Sequence, residues 1–214
     1  MAENGSGAAC PERTLYCYST NATRMKYLIA GLGNIGPDYA RTRHNAGFMV
    51  ADALASKKEA VFSPARYGDI AAFKHKGRSF TLLKPSTYMN LSGRPVYYWL
   101  EKEKIDLSNL LVVTDDIALP IGYLRLRAKG GAGGHNGLEN IIDVLGTDQF
   151  ARLRFGIGGS FPKGFQSQYV LGSWQEDEWS IIQTGIEMAC EMILSFGLQG
   201  IERTMNIYNK RKTE

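Results

Sequence analysis

The chain has 214 residues, 44% of them hydrophobic and 21% charged, with 24 glycines, 7 prolines and a formal net charge of +4. That make-up excludes a disordered or fibrous protein and suits one α/β domain whose core needs no disulfide or metal staple. The mild basic excess fits plain solubility as well as it fits an anionic partner.

Residues 1–24 (MAENGSGAACPERTLYCYSTNATR) carry neither a basic n-region nor a continuous apolar h-region. Their Ser, Thr, Ala and Arg content weakly resembles a transit peptide, and Glu3 and Glu12 oppose that. They read as a disordered extension ahead of Met25, and the domain as 25–214. Residues 26–32, holding the apolar run 27–30, read as a buried strand, followed by a polar loop over 33–45. A helix follows over 46–55, with Met49, Val50, Ala53 and Leu54 at helical spacing. Residues 67–74 and 78–84 read as a hairpin turning near Gly77. Residues 87–104 read as a helix interrupted at Ser92-Gly93 and Pro95, whose proline starts its regular part.

The run NLLVVT at 109–114 ends in Asp115-Asp116 and suits a central strand whose C-terminal end opens on a site. A strand over 122–127 sets Arg125 and Arg127 against Leu124 and Leu126. The glycine-rich turn 130–134 leads into a helix with Leu138, Ile141, Ile142 and Leu145 on one face. A strand over 151–157 carries Arg152 and Arg154. The last long helix opens on Glu176-Asp177-Glu178, buries Trp179, Ile182, Ile186, Cys190 and Ile193, and ends at Gly197.

The cysteines, Cys10, Cys17 and Cys190, have neither metal-ligand spacing nor a paired framework, which fits a reducing compartment, the cytoplasm; Cys190 reads as a buried inert thiol. No stretch reaches the roughly 18 apolar residues of a membrane span. His44, His75 and His135 are scattered, so no metal site is expected.

Gly31-Leu32-Gly33-Asn34-Ile35-Gly36 after a strand matches the dinucleotide fingerprint. The fingerprint's third glycine, however, opens a helix, whereas here about ten polar residues intervene. The remaining reading makes these glycines backbone devices beside a strand end, with Asn34 and His44 as the chemical groups. Asp115 then either caps a turn or orients an imidazole so that its other nitrogen serves as base. Without a Gly-x-Ser-x-Gly elbow, such a pair points to activated water. Asn90 and Asn136 sit at element boundaries, as caps or as amides that stabilise an oxyanion. Arg125, Arg127, Lys129, Arg152 and Arg154 flank the glycine-rich turn, as a solvated sheet face or a phosphate clamp.

Four ordered blocks, 28–45 (LIAGLGNIGPDYARTRHN), 83–93 (LLKPSTYMNLSG), 111–120 (LVVTDDIALP) and 130–138 (GGAGGHNGL), with RLRFGIG at 152–158, resemble bacterial-type peptidyl-tRNA hydrolases from about residue 26 to 208. The resemblance implies a single α/β domain, a twisted mixed sheet flanked by helices, and hydrolysis of the ester joining peptide to the tRNA 3′ ribose, without cofactor or metal. It implies His44 as general base and Asp115 as its orienting carboxylate. Asn34, Asn90 and Asn136 are similar to amides that place the substrate and stabilise the oxyanion, Tyr39 and Met89 to residues lining the peptide-end pocket. Arg127 and Arg154 match a clamp on the tRNA 5′ phosphate. The implied partner is peptidyl-tRNA, bound by a cytoplasmic monomer with no membrane contact. Ala118 and Ala132 depart from a carboxylate and a histidine often found in the family. The competing expectation is a non-catalytic RNA-binding relative of the organellar splicing-factor type.

Overall fold

The computed structural model describes residues 25–209; the extension read at 1–24, and residues 210–214, lie outside the described residues. The strands are β1 (Lys26–Gly31), β2 (Ser63–Ala65), β3 (Gly68–His75), β4 (Arg78–Pro85), β5 (Leu110–Asp116), β6 (Leu124–Arg127) and β7 (Ala151–Gly156). They form one seven-stranded sheet in the order β2-β3-β4-β1-β5-β7-β6. The central strands β4, β1, β5 and β7 pair parallel, while β2, β3 and β6 make antiparallel pairs towards the edges. The sheet is therefore mixed, as expected.

The helices are α1 (Ala46–Lys57), α2 (Gly93–Glu103), α3 (Asn136–Leu145), α4 (Gln166–Val170), α5 (Trp179–Gln199) and α6 (Ile201–Tyr208). Alternation along the strands sends side chains to opposite faces. Ile29, Leu111, Val113 and Leu153 pack with Val50 and Leu54 of α1 and with Ile182, Ala189 and Ile193 of α5. Leu28, Ala30, Leu110 and Val112 pack instead with Val96 and Trp99 of α2 and with Leu138 and Ile141 of α3. Burial on both faces explains why β1 and β5 read as continuous apolar runs. From β1 the chain crosses to the edge at β2, comes back inward through β3 to β4 beside β1, and then places β5 on the other side of β1. The crevice beyond the C-terminal ends of β1 and β5 is thus the topological switch point, where open α/β sheets place their sites.

Several elements differ from the expectation. β2 is a three-residue exposed edge strand containing Pro64, too short to leave a period. The helix expected over 87–104 is a 3-10 turn at Met89–Leu91 followed by α2 from Gly93. Gly197 does not end α5. A Cβ there would lie 2.2 Å from the Phe80 ring, so this glycine serves close packing, and the helix continues to Gln199. The segment Glu176–Gln199 is long and apolar enough to cross a membrane, with mean hydropathy 1.3, yet 50% of that window is buried inside the fold, as in a core helix. Cys190 is buried there, and burial pushes its thiol up to about 11, which makes it inert at neutral pH.

Candidate active site

His44 is delivered by a close approach of helix to strand. A Cβ on Gly31 would stand 2.3 Å from Gly47 O, and one on Gly47 would stand 2.3 Å from Leu32 N. Two glycines thus let the start of α1 rest on the end of β1. The 3-10 turn Arg43–Asn45 just before α1 then overhangs the ends of β1 and β5. Arg43 anchors that turn. It is buried, its guanidinium donates to both Glu178 oxygens at 3.1 and 2.9 Å, and it lies over the Tyr169 and Trp174 rings at 4.7 and 5.2 Å. Its backbone N–H donates to Gly172 O at 3.0 Å. Asn45 closes the other side, accepting from Asn34 N at 2.8 Å and donating to Asn34 O at 2.9 Å.

Asp115, buried at the end of β5, accepts from two histidines. His44 Nδ1 lies 2.9 and 3.0 Å from its two carboxylate oxygens, and His135 Nε2 lies 2.9 Å from Oδ1. The backbone settles the protons. His135 caps α3, and its Nδ1 accepts from Gly137 N at 3.1 Å and Leu138 N at 3.3 Å, so its own proton sits on Nε2. His44 likewise donates from Nδ1, because an ionised carboxylate only accepts. Its Nε2 is left without a hydrogen-bond partner among the described residues and carries a bare lone pair. Burial alone would raise the Asp115 carboxyl. Its interactions with His135, and after them those with His44, outweigh it and hold the group at about 2.

The ligand atoms of His44, Asp115 and His135 lie within 4.8 Å of one another, close enough to hold a metal ion. A metal on His135 Nε2 would shift that ring's proton to Nδ1, facing the two backbone donors of the cap. The donor set therefore fits a proton-holding chain better than a metal site. Sequence reasoning missed His135: it lies 20 residues from Asp115, which lies 71 from His44, and no spaced motif joins the three. Its signal was the N-cap position before Asn136-Gly137, the place assigned instead to Asn136.

These groups line a cavity of about 920 Å³, together with Asn34, Met89, Asn90, Asn136, Arg127 and Arg154. Asn34 is fixed: its Oδ1 accepts from Met89 N at 3.0 Å, which leaves the amide N–H groups as its free donors. Asn90 and Asn136 are exposed at the cavity wall. Tyr39 does not line this cavity; it is half-buried in the 3-10 turn Pro37–Tyr39. Gln166 and Val170 of α4 do line it, and this short polar helix left no periodic signal.

The arginines divide into three situations. Arg127 is exposed at the cavity wall, with no carboxylate in salt-bridge range among the described residues. Arg154 is paired through Nε with Asp116, leaving its terminal nitrogens for an anion. Arg152 is 2% exposed and donates to the carbonyls of Gly130, Gly131, Asp148 and Phe150. It staples the glycine-rich turn to the start of β7, so the alternating pair read from sequence splits into a structural arginine and an accessible one. Ala132 lines the cavity, while Ala118 lies in a neighbouring hollow with Leu119 and Pro120.

The comparisons with known proteins agree with this geometry. A family model described as peptidyl-tRNA hydrolase matches residues 28–214. The peptidyl-tRNA hydrolases of Bacteroides fragilis and Phocaeicola vulgatus are 54% and 55% identical over 187 residues, 87% of this chain and 100% of each relative. The crystal structure of peptidyl-tRNA hydrolase from Acinetobacter baumannii superposes with a TM-score of 0.82 at 35% identity, covering 87% of this chain and 95% of that one. With the matched segment spanning the sheet, both histidines and the carboxylate between them, the chain belongs to the peptidyl-tRNA hydrolase family.

Proposed function

We propose that the chain hydrolyses the ester between the peptide and the 3′ ribose of peptidyl-tRNA, with His44 as general base. One observation carries the reading: Asp115 accepts from Nδ1 of His44 and Nε2 of His135, which leaves His44 Nε2 as the unshared base at the cavity. A water there loses its proton to Nε2 as its oxygen attacks the ester carbonyl, and Asp115 stabilises the imidazolium. The amide N–H groups of Asn34, with those of Asn90 and Asn136, serve the developing oxyanion and hold the peptide. Collapse of the tetrahedral adduct breaks the bond to the ribose oxygen, which takes the proton back from His44. Free peptide and tRNA leave.

Met89 lines the peptide end. Arg127 and the free nitrogens of Arg154 take the tRNA 5′ phosphate, a contact that adds affinity without reading sequence. The intact base, carboxylate and amides favour the enzyme over a non-catalytic RNA-binding relative. We read it as a monomer of the cytoplasm. The test is release of a labelled N-acetyl-aminoacyl group from tRNA. His44→Ala is expected to keep the fold and lose about 10²–10⁴-fold in turnover, the range for removing a general base; near-normal turnover refutes the assignment.

A further inference from the structure

A second cationic surface lies across the sheet from the proposed clamp. The turn between β2 and β3 presents Arg66 and Tyr67, the latter in a left-handed conformation with φ of 65°. Along α2, Arg94, Tyr98 and Lys102 recur every four residues, which puts them on one stripe. The Arg66 guanidinium lies 5.0 Å from the Tyr67 ring and 5.1 Å from the Tyr98 ring. Arg94 lies 4.9 Å from Tyr67, so that ring carries a cation on either hand. Lys102 lies 5.7 Å from Tyr98 and 4.2 Å from Trp99, and Trp99 Nε1 donates to Arg66 O at 3.0 Å.

The charge is uncompensated. Lys26, Arg43, Lys84 and Arg154 each have a carboxylate partner. Arg66, Arg94 and Lys102, all exposed, have none in salt-bridge range among the described residues. The two acids of α2 do not serve them: Glu103 is taken by Lys26, and Glu101 makes no salt bridge to any of the three. The tyrosine rings hold the guanidinium groups in place: Arg66 spends one Nη2 donor on Tyr67 Oη at 3.3 Å, and its remaining N–H groups can take a planar carboxylate.

The position ties this surface to the site. Gly68 pairs with Pro85, so the β2–β3 turn stands at the same end of the sheet as the cavity. Ser86 N donates to Tyr67 O at 3.0 Å, and Tyr88, two residues on, is 62% exposed and lines the cavity. Two residues span about 7 Å at most. Arg127 and Arg154 lie on β6 and β7, whereas this turn belongs to β2 and β3, at the opposite edge. Resting on the proposed function, RNA held at the β6–β7 edge leaves the other edge to the peptide.

We propose that Arg66, Tyr67, Arg94, Tyr98 and Lys102 form a subsite for acidic residues of the peptide, about three to five residues back from the ester at 3.3–3.6 Å per extended residue. The surface thereby gives peptidyl-tRNAs with acidic peptides a lower KM, and ionic strength weakens that preference.

The test compares three substrates on one tRNA: a peptide with Asp-Asp at the third to fifth residues from the ester, the same peptide with Ser-Ser, and N-acetyl-aminoacyl-tRNA. Wild type is expected to show a KM about 3- to 10-fold lower for the acidic peptide, with kcat unchanged. The triple variant Arg66→Ala/Arg94→Ala/Lys102→Ala is expected to erase that difference and leave the N-acetyl substrate unaffected. Equal KM values for the two peptides in wild type overturn the proposal, and that comparison needs no variant to fold. A variant that raises KM equally for all three substrates overturns it in favour of an RNA contact. Wild type inactive on the N-acetyl substrate would bring down the proposed function instead.

Discussion

The two walls of the cavity are built on different terms. On the β1–β5 side each reactive group is held by several partners. Asp115 accepts from two histidines, Asn34 is bound at its N–H, its carbonyl and its Oδ1, and the turn carrying His44 is pinned through Arg43. On the β6–β7 side, Arg127 is exposed, and a Cβ on Gly130, Gly131, Gly133 or Gly134 would meet nothing within 4 Å. Ester chemistry depends on placement to within a fraction of an ångström. Attraction between a cation and a phosphate falls off gradually and tolerates latitude. Rigidity is concentrated where bonds change.

The largest expected break in that contrast is Asp115→Asn. An amide keeps one acceptor oxygen for the imidazoles but carries no charge to stabilise an imidazolium, and kcat is expected to fall about 10²–10⁴-fold with the fold retained. The same residue has a pH signature. Its carboxyl is depressed from 3.8 to about 2, so its stabilisation is complete above about pH 4 and lost as pH falls through about 2. Acid unfolding followed by circular dichroism should lose that limb in the variant.

His135→Ala removes a donor to Asp115 and the cap of α3. Loss of the cap costs about 0.5–2 kcal/mol in denaturant titrations. Loss of a hydrogen bond to a charged group, about 1.5–3 kcal/mol if it falls on the transition state, slows kcat roughly 10- to 100-fold. Arg152→Lys sharpens the comparison from the other wall. One ammonium cannot serve four carbonyls, so stability should drop about 2–4 kcal/mol and KM should rise more than kcat falls. The smallest effect is expected for Arg127→Ala. Its KM for intact tRNA substrates should rise a few-fold and the slope of log affinity against log salt should shrink by about 0.9, while substrates lacking the 5′ phosphate are spared. Equal losses on both substrates would remove the clamp from the account.

Much of this was legible in the sequence because it left a period or a boundary. β1, β5 and α3 announced themselves by apolar runs and helical spacing, and Asp115 by closing a buried strand. What stayed hidden depends on long-range contact. Arg43 and Glu178 are 135 residues apart, and no local pattern tells that Arg152 is buried while Arg154 reaches the cavity. His135 was read past because its neighbour Asn136 carried the familiar chemistry. The short elements β2 and α4 are too brief for periodicity to register.

The central claim is that one carboxylate fixes the tautomers of two histidines and frees a single nitrogen for the reaction. Nitrogen-15 NMR of the neutral imidazoles reads this directly. The account predicts His44 protonated at Nδ1 with a bare Nε2, and His135 protonated at Nε2 with an accepting Nδ1. A His44 ring carrying its proton on Nε2 would contradict it.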